Sequence, residues 1–295
     1  MRVLTRLKSV LCALAVVAGT LTVATGSGTS AAWADGTPTE PPAITGIEVV
    51  KRTATVQDFQ ELTVACPRAL VPISGGGEAK VDVAFYDNVS LTQSEPTRDS
   101  WGPKSWTVSA RTDDSAPFTL TVYAVCAPEP WGYEVVSQYY RNIANGGTLT
   151  VACPEGKTLL GGGGRVRGTD RRSMGKSYPA TAAGNSVPNQ WAVSGYDHGQ
   201  SGLEADAHAV CVYPLSGVTT TRYTATTSDY ITGGVHMCAP GKRVIGGGAA
   251  GAYTEDSLVA SRPALAAETG KSDGWWVQAI GLRPERTVDL YVTCI

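Results

Sequence analysis

Apolar and polar residues alternate in short runs along this chain. No stretch of ten or more residues repeats its apolar positions with the helical period of 3.6. The clearest run is 148–153, where Leu149, Val151 and Cys153 fall on one side, and the turn residues 145–147 and 154–157 flank it. A period of two between glycine- and proline-containing turns is typical of β-strands, so the sequence predicts an all-β protein.

The strand runs belong to a pattern that occurs three times. Each copy has a cysteine, a glycine-rich run eight residues later, Ser-x-Pro, Trp-x-Val and a second cysteine. The first copy contains Cys66, Ser74-Gly75-Gly76-Gly77, Ser94-Glu95-Pro96, Trp106-Thr107-Val108 and Cys126. The second contains Cys153, Gly161-Gly162-Gly163-Gly164, Ser177-Tyr178-Pro179, Trp191-Ala192-Val193 and Cys211. The third contains Cys238, Gly246-Gly247-Gly248, Ser261-Arg262-Pro263, Trp275-Trp276-Val277 and Cys294.

The first cysteines of the copies lie 87 and 85 residues apart, so one unit of about 86 residues, with five or six strands, is triplicated. We assign repeat 1 to residues 46–130, repeat 2 to 131–217 and repeat 3 to 218–295. Three separate β domains or one pseudo-threefold, β-prism-like body both satisfy this pattern. The connections between copies are short, which favours copies packed together in a single body. A repeat that cannot cover its own apolar face also needs neighbours.

The N-terminus indicates export. Residues 1–34 contain three basic residues, an apolar run from Val10 to Val23 and the sequence Ala32-Trp33-Ala34, which together are typical of a secretory signal peptide. The apolar run is shorter than the roughly 20 residues of a membrane helix, and no longer one follows, so we expect no membrane span. Residues 35–45 form a proline-rich arm.

Charge and cysteine content narrow the class of protein. Loss of the signal peptide changes the formal net charge from -2 to -5, which argues against nucleic acid as a partner. The six cysteines that remain have nearly the same spacing in every copy, at 60, 58 and 56 residues, which favours the disulfides Cys66–Cys126, Cys153–Cys211 and Cys238–Cys294. No pair has the spacing of a zinc site, so we expect neither a metal nor a cofactor.

The glycine runs and the tryptophans have a structural interpretation. The runs match neither a phosphate-binding loop nor a dinucleotide fingerprint, and consecutive strand glycines indicate a bulge, a bend or close packing. Trp106, Trp191 and Trp275 align and are expected to point inward onto these glycines. Trp276 lies on the opposite face, where the other copies have Thr107 and Ala192, so it is a candidate for exposed ligand contact.

Two further groups of residues could contribute chemistry. Repeat 2 alone contains the arginine cluster Arg165, Arg167, Arg171 and Arg172, which is either a solvated loop or a contact for an anionic partner. His198, His208 and His236 could act as bases near neutral pH, but none recurs between copies and no Gly-x-Ser-x-Gly context supports a hydrolase. We expect surface or packing roles for all three histidines.

The string Cys-Pro-x-Gly-Lys, followed by Gly-Gly-Gly, Ser-x-Pro, Trp-x-Val and a closing Ala-Val-Cys, resembles a module of exported bacterial proteins, some with a single copy. The resemblance covers nearly all of residues 46–295. It implies export and β structure and supplies no activity. Repeat 1 departs from it, with Arg68-Ala69-Leu70 in place of Gly-Lys and Ser74 in place of glycine, which predicts a remodelled turn.

The sequence therefore favours a secreted, non-catalytic binding module that recognises a cell-surface glycan or a protein. A second hypothesis is an adaptor or structural subunit of a larger secreted complex, for example in interbacterial competition. A hydrolase is the third, because no catalytic motif supports it. The candidate binding residues are Trp276 and the four arginines of the cluster.

Overall fold

The structure is a computed structural model that describes residues 43–81, 89–99, 102–199 and 202–295. The predicted signal peptide, and the arm except for residues 43–45, lie outside these ranges. The described chain is almost entirely β, as the alternation predicted, and each repeat supplies six strands. No helix in these ranges is long and apolar enough to cross a membrane.

The strands follow the repeat pattern. Those of repeat 1 are β1 (Glu48–Val56), β2 (Leu62–Ala65), β3 (Leu70–Lys80), β4 (Val89–Asp99), β5 (Gly102–Thr112) and β6 (Phe118–Pro128). Those of repeat 2 are β7 (Glu134–Ala144), β8 (Thr148–Ala152), β9 (Thr158–Arg167), β10 (Arg172–Ala180), β11 (Gln190–Asp197) and β12 (Gly202–Val212). Those of repeat 3 are β13 (Thr219–Thr227), β14 (Ile231–Met237), β15 (Val244–Gly251), β16 (Ser257–Ala264), β17 (Gly274–Ile280) and β18 (Arg286–Cys294), and α1 (Ala266–Thr269) lies between β16 and β17.

The strands form three six-stranded antiparallel sheets, and each sheet is shared by two repeats. Sheet I has the order β1-β6-β3-β16-β17-β14, sheet II β2-β5-β4-β9-β12-β7 and sheet III β13-β18-β15-β10-β11-β8. In every sheet the first, sixth and third strands of one repeat meet the fourth, fifth and second strands of another. No repeat completes a sheet by itself, so the single pseudo-threefold, β-prism-like body is confirmed and separate domains are excluded.

The repeats meet along short seams. Only two residue pairs are in register at each one: Ala260 and Ser261 with β3, Gln93 and Ser94 with β9, and Lys176 and Ser177 with β15. The third residue of each run, which is a glycine in all three repeats, lies at the seam. A Cβ at Gly76 would collide with the carbonyl oxygen of Ser261, and Gly163 and Gly248 meet Ser94 and Ser177 in the same way. These glycines therefore permit close approach of the neighbouring repeat.

The core between the sheets contains a three-part contact that is repeated three times. Trp106, Trp191 and Trp275 are 0%, 2% and 1% exposed. Their rings fill the space beside Gly75, Gly162 and Gly247, where a Cβ would overlap the indole. Each indole Nε1 donates a hydrogen bond to the serine of Ser-x-Pro, at 3.0 Å to Ser94, 3.1 Å to Ser177 and 2.9 Å to Ser261. The tryptophans thus point inward onto glycine, as predicted, with their polar atom satisfied.

The pseudo-threefold axis passes between the first residues of the three glycine runs. Here Gly161 lies against Ser74 and the carbonyl of Ile73, and Gly246 lies against the carbonyl of Leu160. A Cβ at Gly161 would lie 2.8 Å from that of Ser74. The axis therefore has room for one small side chain, which repeat 1 supplies.

The three disulfides are Cys66–Cys126, Cys153–Cys211 and Cys238–Cys294, one within each repeat. Each joins two sheets. Cys66 directly follows β2 of sheet II, for example, whereas Cys126 lies in β6 of sheet I. Because every bridge closes a loop of nearly sixty residues, it restricts the unfolded chain strongly.

The turn after the first cysteine corrects one expectation. Ala69 replaces the glycine of the other repeats, yet it has the left-handed φ of 70°, beside 78° at Gly156 and 82° at Gly241. The closing hydrogen bond, from the Leu70 N–H to the carbonyl of Pro67, also matches the other two turns. The turn of repeat 1 is therefore not remodelled, and its alanine is held in a conformation that glycine adopts more easily.

Candidate functional site

The outer face of sheet I contains a row of side chains that includes Trp276. Strand register places Trp276 of β17 beside Val235 of β14 and Arg262 of β16. Beyond Arg262 comes Gly76, and beyond that Tyr123 of β6. Because Gly76 has no side chain, the Arg262 guanidinium reaches across it to within 5.2 Å of the Tyr123 ring centroid.

A groove of about 530 Å³ lies over Trp276. Its walls are the outer face of sheet I and the segment that contains α1, and the full lining is Glu78, Lys80, Val235, Met237, Arg262, Ala264, Glu268, Thr269, Lys271 and Trp276. The volume falls within the range of small-molecule sites in proteins. We call this feature the Trp276 groove.

The wall that contains α1 is fixed by Asp273. One oxygen of this buried carboxylate accepts a hydrogen bond from the Ala266 N–H at 2.9 Å, and the other lies 2.7 Å from Arg243 Nε. The Thr269 hydroxyl adds a bond to the carbonyl of Ser272 at 2.9 Å. Glu268 and Lys271 therefore face the groove from a segment that its own hydrogen bonds hold in place.

Arg262 holds two carboxylates at the base of the groove. Its Nε lies 3.1 Å from Glu78 and its NH1 3.0 Å from Glu268, and the arginine side chain is only 14% exposed. Lys80 contacts Glu78 from the solvent side at 3.1 Å. The groove thus combines a buried charge network with the exposed lysines Lys80 and Lys271 at its rim.

Trp276 occupies the predicted outer face but is half-buried. Its indole nitrogen is shielded from solvent and has no hydrogen-bond partner in the described part of the chain. The ring therefore meets the groove through carbon atoms. This is the kind of surface on which an apolar ligand face, such as the C–H face of a sugar ring, can stack.

The arginine cluster does not form one anion site. Arg165 contacts Glu61 and Glu95, and Arg167 contacts Asp206. Arg172 bonds to backbone carbonyls, at 2.7 Å to that of Thr169, and its guanidinium lies 3.9 Å from the centroid of the Phe59 ring. Arg171 lines a different cavity, at one end of the body. Neighbours in the sequence are thus distributed over a sheet face and a loop.

Each histidine has a distinct environment. His236 contacts the Thr221 hydroxyl at 2.8 Å and stacks on Tyr223, and burial lowers its pKa. His198 lines the same end cavity as Arg171. His208 of β12 pairs with Gly163 of β9 in sheet II, in the same way as Tyr123 pairs with Gly76 in sheet I.

His208 also completes a Ser-His-Glu chain that the sequence did not reveal. Its Nδ1 lies 2.8 Å from the Ser137 hydroxyl, and its Nε2 lies 3.1 Å from Glu95. Ser137 is exposed on β7, the outermost strand of sheet II. The aligned positions in the other sheets hold Arg262 with Tyr123 and Tyr178 with Tyr291, which are also seam contacts. The Ser-His-Glu contacts are therefore explained as part of the seam between repeats. None of the three residues belongs to the described lining of the Trp276 groove or of the end cavity.

Among the described residues, no group of three or more His, Cys, Asp and Glu side chains is arranged to hold a metal ion. Sequence reasoning identified Trp276 because it is unmatched in the other repeats. It missed Glu78, whose proximity depends on a sheet shared by repeats 1 and 3. It also missed Arg262, Glu268 and Lys271, which the pairing of β16 with β17 and the segment that contains α1 bring to Trp276. Scans against protein-family models and against curated proteins found no match to this chain.

Proposed function

We propose that this protein is a secreted, non-catalytic binding protein that recognises a glycan in the Trp276 groove. The observation that carries the proposal is an indole presented through its carbon atoms among charged side chains. Sugars offer an apolar C–H face together with several hydroxyls, so they match such a mixed surface. The accessible groups for those hydroxyls are Glu268, whose side chain is 38% exposed, and Lys80, which is 63% exposed.

The rigidity of the groove also supports binding. Its floor consists of the inner strands β3, β16 and β17 of sheet I with the edge strand β14, and hydrogen bonds of Asp273 hold the opposite wall. Pre-ordered side chains lose less conformational entropy when a ligand binds, so more of the contact energy appears as affinity. The three disulfides suit an oxidising, extracellular environment, which is where a cell-surface glycan would be met.

A glycan array probed with the mature protein tests the proposal. The matched variant is Trp276→Ala, because Ala192 occupies the aligned position in repeat 2 and the backbone there accommodates it. We expect binding to weaken at least about tenfold, which corresponds to about 1.4 kcal/mol. Trp131→Ala is the control, since Trp131 is 71% exposed at a different position. Equal loss in both variants, or no glycan bound by the parent, would reject the proposal.

A second candidate function, a subunit of a larger secreted complex, is favoured by one observation. Trp131 contacts Tyr213 in a tilted arrangement with ring centroids 4.4 Å apart, and both rings are exposed. Exposed Trp and Tyr are enriched at protein contact sites. Size-exclusion chromatography of the native secreted material tests this candidate. A larger complex that Trp131→Ala disrupts would support it, and a monomer in the parent would reject it.

A further inference from the structure

A second cavity lies at the end of the body opposite the disulfides. Strand β5 runs between the two ends: it passes Cys66, whose N–H bonds to the carbonyl of Lys104, and reaches the cavity with Arg111. The volume is about 390 Å³. Its lining comes from all three repeats: Val89, Ser90, Arg111, Asp113, Arg171, His198, Tyr230, Glu255, Ser257, Ile280, Gly281 and Leu282. We call it the axial cavity, because aligned positions of three repeats converge only on the pseudo-threefold axis.

The floor of the axial cavity is alike in the three repeats and its rim is not. Ser90 and Ser257 line the cavity, and Ser173 occupies the aligned position of repeat 2. All three are buried, and Ser257 donates a hydrogen bond to Ser173 at 2.7 Å. At the rim the aligned positions are Asp113, His198 and Leu282. Shared positions of the three repeats therefore form the floor of the cavity. Positions that differ between the repeats give its rim one polar side and one apolar side.

Most charges around the axial cavity are paired. Arg111 contacts Asp113 at 2.5 Å and is held further by the carbonyl of Arg172 at 3.0 Å. Glu255 lies 3.7 Å from Arg283, and the buried Asp256 and Arg286 form an ion pair beside it. Within the described residues, Arg171 has no carboxylate partner. Among the described lining residues, Arg171 is therefore a cation that is available to bind an anion.

The positive charge of Arg171 affects the pKa of His198. Its pKa is lowered first by burial and then by the positive charges of Arg111 and Arg171, which outweigh the opposite effects of Asp113 and Asp197. The imidazole is therefore neutral at pH 7 and can donate or accept a hydrogen bond beside Arg171. An added negative charge in the cavity would stabilise the protonated form, so anion binding must raise the pKa of His198.

We propose that the axial cavity binds a small organic carboxylate, with its carboxylate group at Arg171 and His198 and its apolar part against Ile280 and Leu282. An arginine matches the planar carboxylate with two parallel N–H donors, and the two aliphatic side chains offer apolar surface to the rest of the ligand. This site is separate from the Trp276 groove, and neither proposal depends on the other.

The test is NMR spectroscopy of the His198 ring during titration with phenylacetate, benzoate or hexanoate, each beside its uncharged amide. We expect at least one carboxylate to shift the His198 resonances and raise the pKa of the imidazole, and the matching amide to give less than about a tenth of that shift. Arg171→Gln should reduce the carboxylate affinity at least about tenfold, because it removes the unpaired charge. Trp276→Ala, distant from this end, should leave the affinity unchanged.

Three results would overturn the proposal. One is equal response to a carboxylate and its amide, and another is undiminished binding by Arg171→Gln. The third is the absence of any His198 response up to about 20 mM of all three carboxylates, since weaker binding lies outside the range of specific sites. Loss of binding in Trp276→Ala but not in Arg171→Gln would place the ligand in the groove instead.

Discussion

Glu95 Oε2 of repeat 1 lies 3.1 Å from His208 Nε2 of repeat 2, across a glycine that separates their strands. The aligned contact between repeats 3 and 1 is Arg262 with Tyr123, and between repeats 2 and 3 it is Tyr178 stacked on Tyr291 at 5.2 Å. The three seams share one geometry and differ in chemistry. A carboxylate–imidazole hydrogen bond, a cation–π contact and an aromatic stack are not interchangeable, so each half-sheet is matched to its own neighbour.

The Glu95–His208 seam predicts a pH-dependent contribution to stability. Burial alone would raise the pKa of Glu95, but the hydrogen bond and charge of His208, with the charge of Arg165, lower it below its ordinary value. A lowered carboxyl pKa stabilises the fold above the pKa of the unfolded chain, and this stabilisation is lost as the pH falls through the folded-state pKa. Glu95→Gln should therefore cost about 1–3 kcal/mol near neutral pH.

Urea unfolding of the parent and Glu95→Gln at about pH 7 and about pH 3 measures this effect. The difference in unfolding free energy should shrink at the lower pH. Glu61→Gln is the control, because Glu61 contacts the same Arg165 but is 52% exposed, and an exposed ion pair contributes less than about 1 kcal/mol. A difference between parent and Glu95→Gln that does not change with pH would contradict the assignment.

The Trp–Gly contact predicts that Gly162 tolerates no side chain. A Cβ there would overlap the Trp191 ring and the carbonyl of His208, so Gly162→Ala should lower the free energy of unfolding by about 3 kcal/mol. Gly234→Ala is the matched strand control, because its Cβ would meet only Leu290 Cδ2 at 4.0 Å. That variant should be neutral or more stable by up to about 1 kcal/mol. Similar losses in both would show that the Trp191 contact is not the cause.

The turn shape shared by the three repeats predicts that Ala69→Gly and Gly156→Ala change the free energy of unfolding in opposite directions. Ala69→Gly should raise the unfolding free energy by about 0.5–1 kcal/mol, since alanine at a φ of 70° is strained. Gly156→Ala should lower it by about 1 kcal/mol, because no atom lies near its Cβ position and only the backbone conformation opposes the change. Thermal melting of the two variants is sufficient, and a shift of both in one direction would be inconsistent with this interpretation.

The axial serine predicts a stabilising substitution. Ser74 is fully buried, and its hydroxyl makes no hydrogen bond within the described residues. Ser74→Ala keeps the Cβ that the axis accommodates and removes the unpaired hydroxyl, so stability should rise by about 1 kcal/mol. Calorimetric melting is the measurement. A destabilised Ser74→Ala would contradict the assignment, because it would mean that the Ser74 hydroxyl makes a stabilising hydrogen bond.

Much of the scaffold could be predicted from local patterns. Equal cysteine spacing identified the disulfides, and one tryptophan and one glycine run per copy indicated their contact. The exchange of strands between repeats could not be predicted. Alternation indicates on which face of its strand Ser94 or Ser261 lies, but it does not indicate which strand pairs with that strand. For the same reason Glu95–His208 and Glu78–Arg262 were missed: each joins residues more than a hundred positions apart.

Fluorine NMR of the protein labelled with fluorotryptophan tests the central claim, glycan recognition at Trp276, most directly. The Trp276 resonance is assigned by its loss in Trp276→Ala. On addition of a glycan selected from the array, that resonance should shift in a saturable manner while those of the buried Trp106, Trp191 and Trp275 stay in place. A glycan that binds the protein without moving the Trp276 resonance would contradict the claim.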